Sequence, residues 1–348
     1  MTHLTYLEAA VVGLIQGVTE LFPVSSLGHN VLIPALIGGS WARDLNVATT
    51  ESPYLAFIVG LHVATAIALL IYFWRDWVRI TKGFFSSLRQ IARPAEGTTR
   101  WMLQSADEQL AWLIILATIP VGLAGLAFEH LFRLIFGKPV YAAVFLIING
   151  LILLAGERFR SRASLRADRQ IAAEREHARH SVHWGEDRYR SEHGHAAGRG
   201  TTRTYQAVWA EETDDAVTSD RRLATMRPLQ AVVIGSAQIA ALAAGISRDG
   251  VAMVAGMARG LSREDAARFA FLLATPVILG AGVLKVPDLF APAALPHLPT
   301  YLLAGVVSGV AAYVSVAYLM RYFRVGRLDP FAIYCAAFGI LSLILLSR

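Results

Sequence analysis

Apolar residues fall along this chain in blocks too long for the core of a small soluble domain. The clearest are Tyr54–Trp74, Leu110–Phe128, Val140–Ala155, Ala267–Leu284, Tyr301–Tyr322 and Phe331–Leu346. A helix needs about 20 apolar residues to cross a hydrocarbon core of about 30 Å, so the blocks predict six transmembrane helices. Two further apolar stretches, Leu4–Gly38 and Met226–Gly260, are each 35 residues long. Unbroken, each would be a helix of about 52 Å, too long for one crossing and too short for two with a turn. Each is interrupted near its middle, at Pro23–Gly28 ("PVSSLG") and at Ala244–Gly250 ("AGISRDG"). Such segments predict re-entrant hairpins of two half-length helices, whose irregular tips need protein or a wet cavity around them. The expected fold is therefore all-α: a polytopic membrane protein of about six transmembrane helices plus two re-entrant helical hairpins.

The hairpins read as copies. A shift of 222 positions places Gly13 on Gly235, Gln16 on Gln238, Ser25 on Ser247 and Gly28 on Gly250 without a gap. "LATIP" (Leu116–Pro120) and "LLATP" (Leu272–Pro276) are a further likeness, expected in corresponding spans. The chain divides into an N-terminal membrane half (1–156), a polar insert (157–225) and a C-terminal membrane half (226–348). The insert is rich in arginine and acid and poor in large apolar residues, which predicts a solvated loop. Its His177, His180, His183, His193 and His195 are expected in that loop rather than in a metal tract.

Charge then orients the spans. The sequence has 348 residues and a net charge of +6. Arginines and lysines crowd Arg75–Asp107, the start of the insert and Arg321–Arg327. Those links are separated by pairs of spans, so they share a side, the cytoplasm by the positive-inside rule. Arg133 and Lys138 count weakly against that scheme. The first hairpin then enters from outside and the second from inside, an inverted repeat whose tips meet near the midplane. The positive balance serves this orientation and is not expected to bind nucleic acid. One cysteine, Cys335, excludes an internal disulfide. Met1–Tyr6 has no basic n-region, so no cleavable signal peptide is expected.

The polar residues of the hairpins carry the candidate chemistry. Gln16 and Glu20 share a helix face at i, i+4, and Ser26 and His29 share one at i, i+3. Ser247 and Arg248 stand at another helix start, where backbone N–H groups favour anions. A carboxylate or arginine at the middle of a span costs about 2.5–3.5 kcal/mol, so neither Glu20 nor Arg248 should face lipid. They can pair as a buried salt bridge holding the hairpins together. The pair alone leaves two adjacent serines, a histidine and two convergent helix starts unexplained. A dianion accounts for all of them: arginine as a phosphate fork, backbone N–H groups for its oxygens, an acid and an amide for a hard cation, Ser26 and His29 for nucleophile and proton transfer. His62, mid-span near the first hairpin, is expected to be mainly a packing residue, with some prospect of touching the site. Gly13 and Gly17 are expected to permit a close helix contact, and Glu129 to be interfacial.

"GLIQGVTELFPVSSLGH" together with "AGISRDG" resembles the undecaprenyl-diphosphate phosphatase family of bacterial membranes, the bacitracin-resistance type. The resemblance extends to "FAFLLATP" after the second hairpin and is not expected to include the insert. It implies hydrolysis of a C55 polyprenyl diphosphate to the monophosphate and inorganic phosphate, recycling a cell-wall carrier in the bacterial plasma membrane. A divalent cation, magnesium or calcium, is implied as well. By position Gln16 and Glu20 form the cation motif. Ser25, Ser26 and His29 with Gly28 form the catalytic run, and Gly245, Ser247 and Arg248 the phosphate loop. Ala244, Ile246 and Asp249 depart from the family's usual proline, threonine and serine; Asp249 is expected to be a helix cap rather than a second cation ligand. The competing reading is a transporter or flippase for an anionic or lipid-phosphate substrate, since inverted repeats with broken helices serve carriers too. A carrier needs no nucleophile, which favours the enzyme. Membrane lipids are expected partners, and a homo-oligomer is left open.

Overall fold

The computed structural model describes residues 5–45, 53–92, 105–136, 138–182, 217–285 and 295–348, and every regular element among them is helical. The first stretch forms α1 (Tyr6–Leu21) and α2 (Ser26–Ile37). Thr5 starts α1 with a capping box: it accepts from the Glu8 N–H while Glu8 accepts from the Thr5 N–H at 2.9 Å. Pro23 ends it, because the residue before a proline is pushed out of helical geometry, and Phe22 sits at φ −67°, ψ 140°. The short α3 (Gly39–Asp44) leads to α4 (Pro53–Tyr72).

The first span was expected to run through Trp74. It stops at Tyr72 and bends by 84° into α5 (Trp74–Ala92). The basic link is thus itself a helix, with Trp74, Val78, Phe85, Leu88 and Ile91 exposed on one side, the pattern of a helix lying in a membrane interface. Then come α6 (Ala106–Phe136) and α7 (Pro139–Val182). Residues 217–224 form α8, followed by α9 (Pro228–Ala237), a 3-10 turn at Gln238–Leu242, and α10 (Arg248–Ala258). The chain closes with α11 (Arg263–Lys285), α12 (Leu298–Tyr322) and α13 (Asp329–Leu346). Among the described residues five helices are long and apolar enough to span a membrane, and the bent α4–α5 pair makes a sixth candidate. The protein is a multi-pass membrane protein.

Small residues let the helices approach closely. A Cβ on Gly13 would lie 2.4 Å from the Ala304 carbonyl oxygen, and one on Gly17 2.2 Å from that of Ser308, so α1 lies directly on α12. Gly235, the counterpart of Gly13, lies as tightly on Ala117, which seats α9 on α6. "LATIP" lies in α6 and "LLATP" in α11.

Both edges of the insert are structured. Residues 157–182 continue α7 as helix. Glu157 is fully buried, accepts from Arg263 Nε at 3.1 Å and from the Leu328 N–H at 3.2 Å. At the other edge Asp220 is 1% exposed and accepts from Arg268 Nε at 2.8 Å and Arg79 Nη2 at 2.5 Å. Arg268 also reaches Asp76 at 3.0 Å, so one buried charge network ties α8 to α5 and α11. His183, His193 and His195, and the side chains of Glu129, Arg133, His177 and His180, lie outside the described residues.

Candidate active site

The two broken stretches meet at their breaks. Ser25 is the N-cap of α2 and Ser247 the N-cap of α10, each accepting the N–H three residues on, at 3.2 and 3.1 Å. The positions 222 apart therefore share a local structure as well as a residue type. Ser25 adopts φ +70°, the one non-glycine residue with positive φ among those described, a conformation that costs about 1–3 kcal/mol and collects at functional sites. Its hydroxyl also accepts the Gly245 N–H at 3.2 Å, which joins one break to the other. Gly28 is at that junction: a Cβ there would be 2.9 Å from Gly245 Cα. Gly245 itself takes φ +110°.

Asn149, from α7, pins both breaks. Its amide donates to the Pro23 carbonyl and accepts the Ser247 N–H, each at 3.0 Å. Sequence reasoning missed it, although one asparagine inside the apolar run Val140–Ala155 was the available signal.

Glu20 is the centre of the site. Its carboxylate accepts from Ser26 Oγ and Arg248 Nη2 in short contacts, from Gln16 Nε2 at 2.9 Å, and lies 3.2 Å from His62 Nε2. The Glu20–Arg248 salt bridge is thus present, and Ser26 shares the same carboxylate. His62 is drawn into the site beyond the packing role expected of it. Its other nitrogen, Nδ1, is 2.7 Å from the Ile58 carbonyl, so both ring nitrogens face acceptors. Glu20, Ser25, Ser26, His62, Ser247 and Arg248 line one cavity of about 460 Å³, together with Gln238.

Two expectations change here. His29 does not reach Ser26: its Nδ1 is 2.7 Å from the Ser25 carbonyl, its Nε2 2.7 Å from Tyr334 Oη, and its ring stacks on Phe338. Helical spacing put the two on one face, but Ser26 turns back to Glu20 while the imidazole turns to α13. Asp249 is not the cap of α10, since Ser247 is; both its carboxylate oxygens are buried with no hydrogen-bond partner among the described residues. Gln16 Oε1 accepts from Asn30 Nδ2 at 2.6 Å, which fixes its amide beside Glu20.

No group of three or more His, Cys, Asp or Glu able to hold a metal occurs among the described residues. Glu20, with Gln16 beside it, fits a share in a magnesium site, as that ion is commonly held by one or two carboxylates plus substrate phosphates.

Comparison with known proteins follows the same lines. The model of the family described as bacitracin resistance protein BacA matches residues 9–185 and 202–341. The likeness, expected to omit the insert, enters it from both sides. An undecaprenyl-diphosphatase of Mycolicibacterium paratuberculosis is 52% identical over 345 residues, 99% of this chain and 98% of that protein. Undecaprenyl-diphosphatase 2 of Frankia alni is 48% identical over 98% of both chains. An undecaprenyl-diphosphatase of Acidiphilium cryptum is 40% identical over 99% of both.

Proposed function

The chain belongs to the bacitracin resistance protein BacA family and hydrolyses undecaprenyl diphosphate to undecaprenyl phosphate and inorganic phosphate, and we propose that Ser26 and Glu20 carry out the reaction. One observation supports this assignment above the others: the Ser26 hydroxyl donates directly to the Glu20 carboxylate on the wall of the shared cavity. Ser26 heads α2, where backbone N–H groups hold phosphate oxygens.

In the first step Ser26 Oγ attacks the terminal phosphorus while Glu20 takes the hydroxyl proton. The bond from that phosphorus to the bridging oxygen breaks, and undecaprenyl phosphate leaves carrying the bridging oxygen and its electron pair. Arg248, paired with Glu20 and with its Nε 3.8 Å from Asp249 but in no hydrogen bond among the described residues, turns to the charge on the phosphates. Glu20 gives its proton to the departing phosphate. In the second step Glu20 takes a proton from water, the hydroxide attacks the phosphoserine, and Ser26 leaves and recovers a proton from Glu20. His62 holds the Glu20 carboxylate in place through both steps. A divalent cation, held by Glu20 and by the diphosphate, would spread the charge of the phosphates.

The prenyl chain has an apolar exit. A second groove of about 510 Å³ runs between α5 and α6 and shares Thr118, Gly122, Leu126 and Pro276 with the site cavity. Trp77, Ile80, Phe84 and Leu123 supply walls suited to an isoprenoid tail. We place the protein in the bacterial plasma membrane with its insert in the cytoplasm, as the basic flanks direct.

The test is phosphate release by purified protein from undecaprenyl diphosphate. Wild type turns over, while Ser26→Ala and Glu20→Gln fall by at least about a hundredfold with unchanged helical content. Substrate crossing vesicle membranes without phosphate release would support the carrier reading instead.

A further inference from the structure

Gln16 and Gln238 occupy equivalent places in the two broken stretches, 222 positions apart, yet their surroundings differ. The Gln16 carboxamide is committed on both sides, donating to Glu20 at 2.9 Å and accepting from Asn30 at 2.6 Å. The counterparts of those two partners, at positions 242 and 252, are Leu242 and Ala252. The second stretch therefore has the glutamine without either partner. Gln238 is 1% exposed, and neither its amide nitrogen nor its amide oxygen has a hydrogen-bond partner among the described residues. It stands where α9 gives way to the 3-10 turn, on the wall of the cavity that holds Glu20, Ser26, His62 and Arg248.

A buried amide without partners destabilises a fold unless a ligand supplies them. The group expected in this cavity is a phosphate, whose oxygens accept hydrogen bonds. We infer that Gln238 is a substrate-binding residue whose amide N–H donates to the terminal phosphate of the diphosphate. This rests on the phosphatase reading. It adds a neutral donor to the cavity that the charged Arg248 also lines, so the phosphate is gripped without further positive charge. Gln16, the member of the pair that the sequence motif singles out, instead holds Glu20 in place.

Three measurements on the purified full chain decide the matter: KM for undecaprenyl diphosphate, the dissociation constant of inorganic phosphate, and Tm. Gln238→Met matches the side chain in length and removes the polar atoms. It should raise the Tm of the ligand-free protein, because an unpaired amide is gone. It should also raise KM and the phosphate dissociation constant by about three- to tenfold, the range for one neutral hydrogen bond. Gln238→Glu keeps size and polarity, sets a negative charge against phosphate, and should weaken phosphate more than the methionine does. A methionine variant with higher Tm but unchanged KM and phosphate binding would overturn the inference. So would a glutamate variant that binds phosphate as well as wild type, which carries the test alone should the methionine variant not fold. Wild type that releases no phosphate from the same substrate would count against the phosphatase reading itself.

Discussion

At Glu20 a single carboxylate satisfies four donors from three parts of the chain: Gln16, Ser26, His62 and Arg248. Removing one partner of such a buried arrangement leaves the others uncompensated, at a cost of about 3–5 kcal/mol for a charge pair. Gln16, Glu20, Ser26 and Arg248 were legible in sequence, because polar residues in apolar helices must find one another. The two histidines were harder to rank. His29 adjoins the serines in the chain and His62 does not, yet it is His62 that meets Glu20, while His29 bonds Ser25 and Tyr334. Rotamers and tertiary partners decide this, and spacing carries neither. The expected consequence is a difference between two variants in kcat. His62→Ala should lower it by at least about tenfold through the misplaced base, given that general base catalysis as a whole contributes about 10²–10⁴-fold. Tyr334→Phe, which removes only the partner of the His29 Nε2, should stay within a few-fold of wild type. Steady-state kinetics with long-chain prenyl diphosphate checks both, and the reverse order would restore His29 as the proton carrier.

Among the elements, α1–α2 and α9–α10 determine the site, since each break delivers a capped helix start to the cavity. The breaks themselves were readable from Pro23, the paired serines and the glycines. The bend of α4 into α5 was not: Arg75, Asp76, Arg79 and Lys82 read as a polar link, because charges that pair within a folded network look the same in sequence as charges that face water. The junction of the breaks is testable at Gly28. A methyl group there meets Gly245 Cα at 2.9 Å, backbone that cannot swing aside like the end of a flexible side chain. Gly28→Ala should destabilise by about 1–3 kcal/mol, the range for overpacking a tight core, and should lower turnover with it. Thermal unfolding and phosphate release measured on one preparation check this. An unchanged Tm with full turnover would mean the two breaks need not touch.

For the whole molecule, the network of Asp76, Arg79, Asp220 and Arg268 ties the far edge of the insert into the membrane region. Composition alone marked 157–225 as solvated, and could not show that Ser219 and Asp220 are buried, because their partners Asp265 and Arg268 lie nearly fifty residues away. Replacing 183–216 by a short Gly/Ser linker should therefore leave Tm and turnover within a few-fold of wild type. Extending the deletion through Asp220 takes a buried acceptor from Arg268 and Arg79 and leaves them to share Asp76, and stability should fall by about 3–5 kcal/mol. Comparison of the two deletions by thermal unfolding separates a passive linker from a structural clasp.

The central claim, that Ser26 attacks with Glu20 as its base, is tested most directly by the stereochemistry at phosphorus. The measurement uses undecaprenyl diphosphate carrying a chirally labelled terminal phosphorothioate, hydrolysed by the purified protein in isotopically labelled water. Two successive displacements through a phosphoserine predict net retention of configuration in the released thiophosphate. Net inversion would mean that water attacks the substrate in a single step, and would contradict the serine nucleophile.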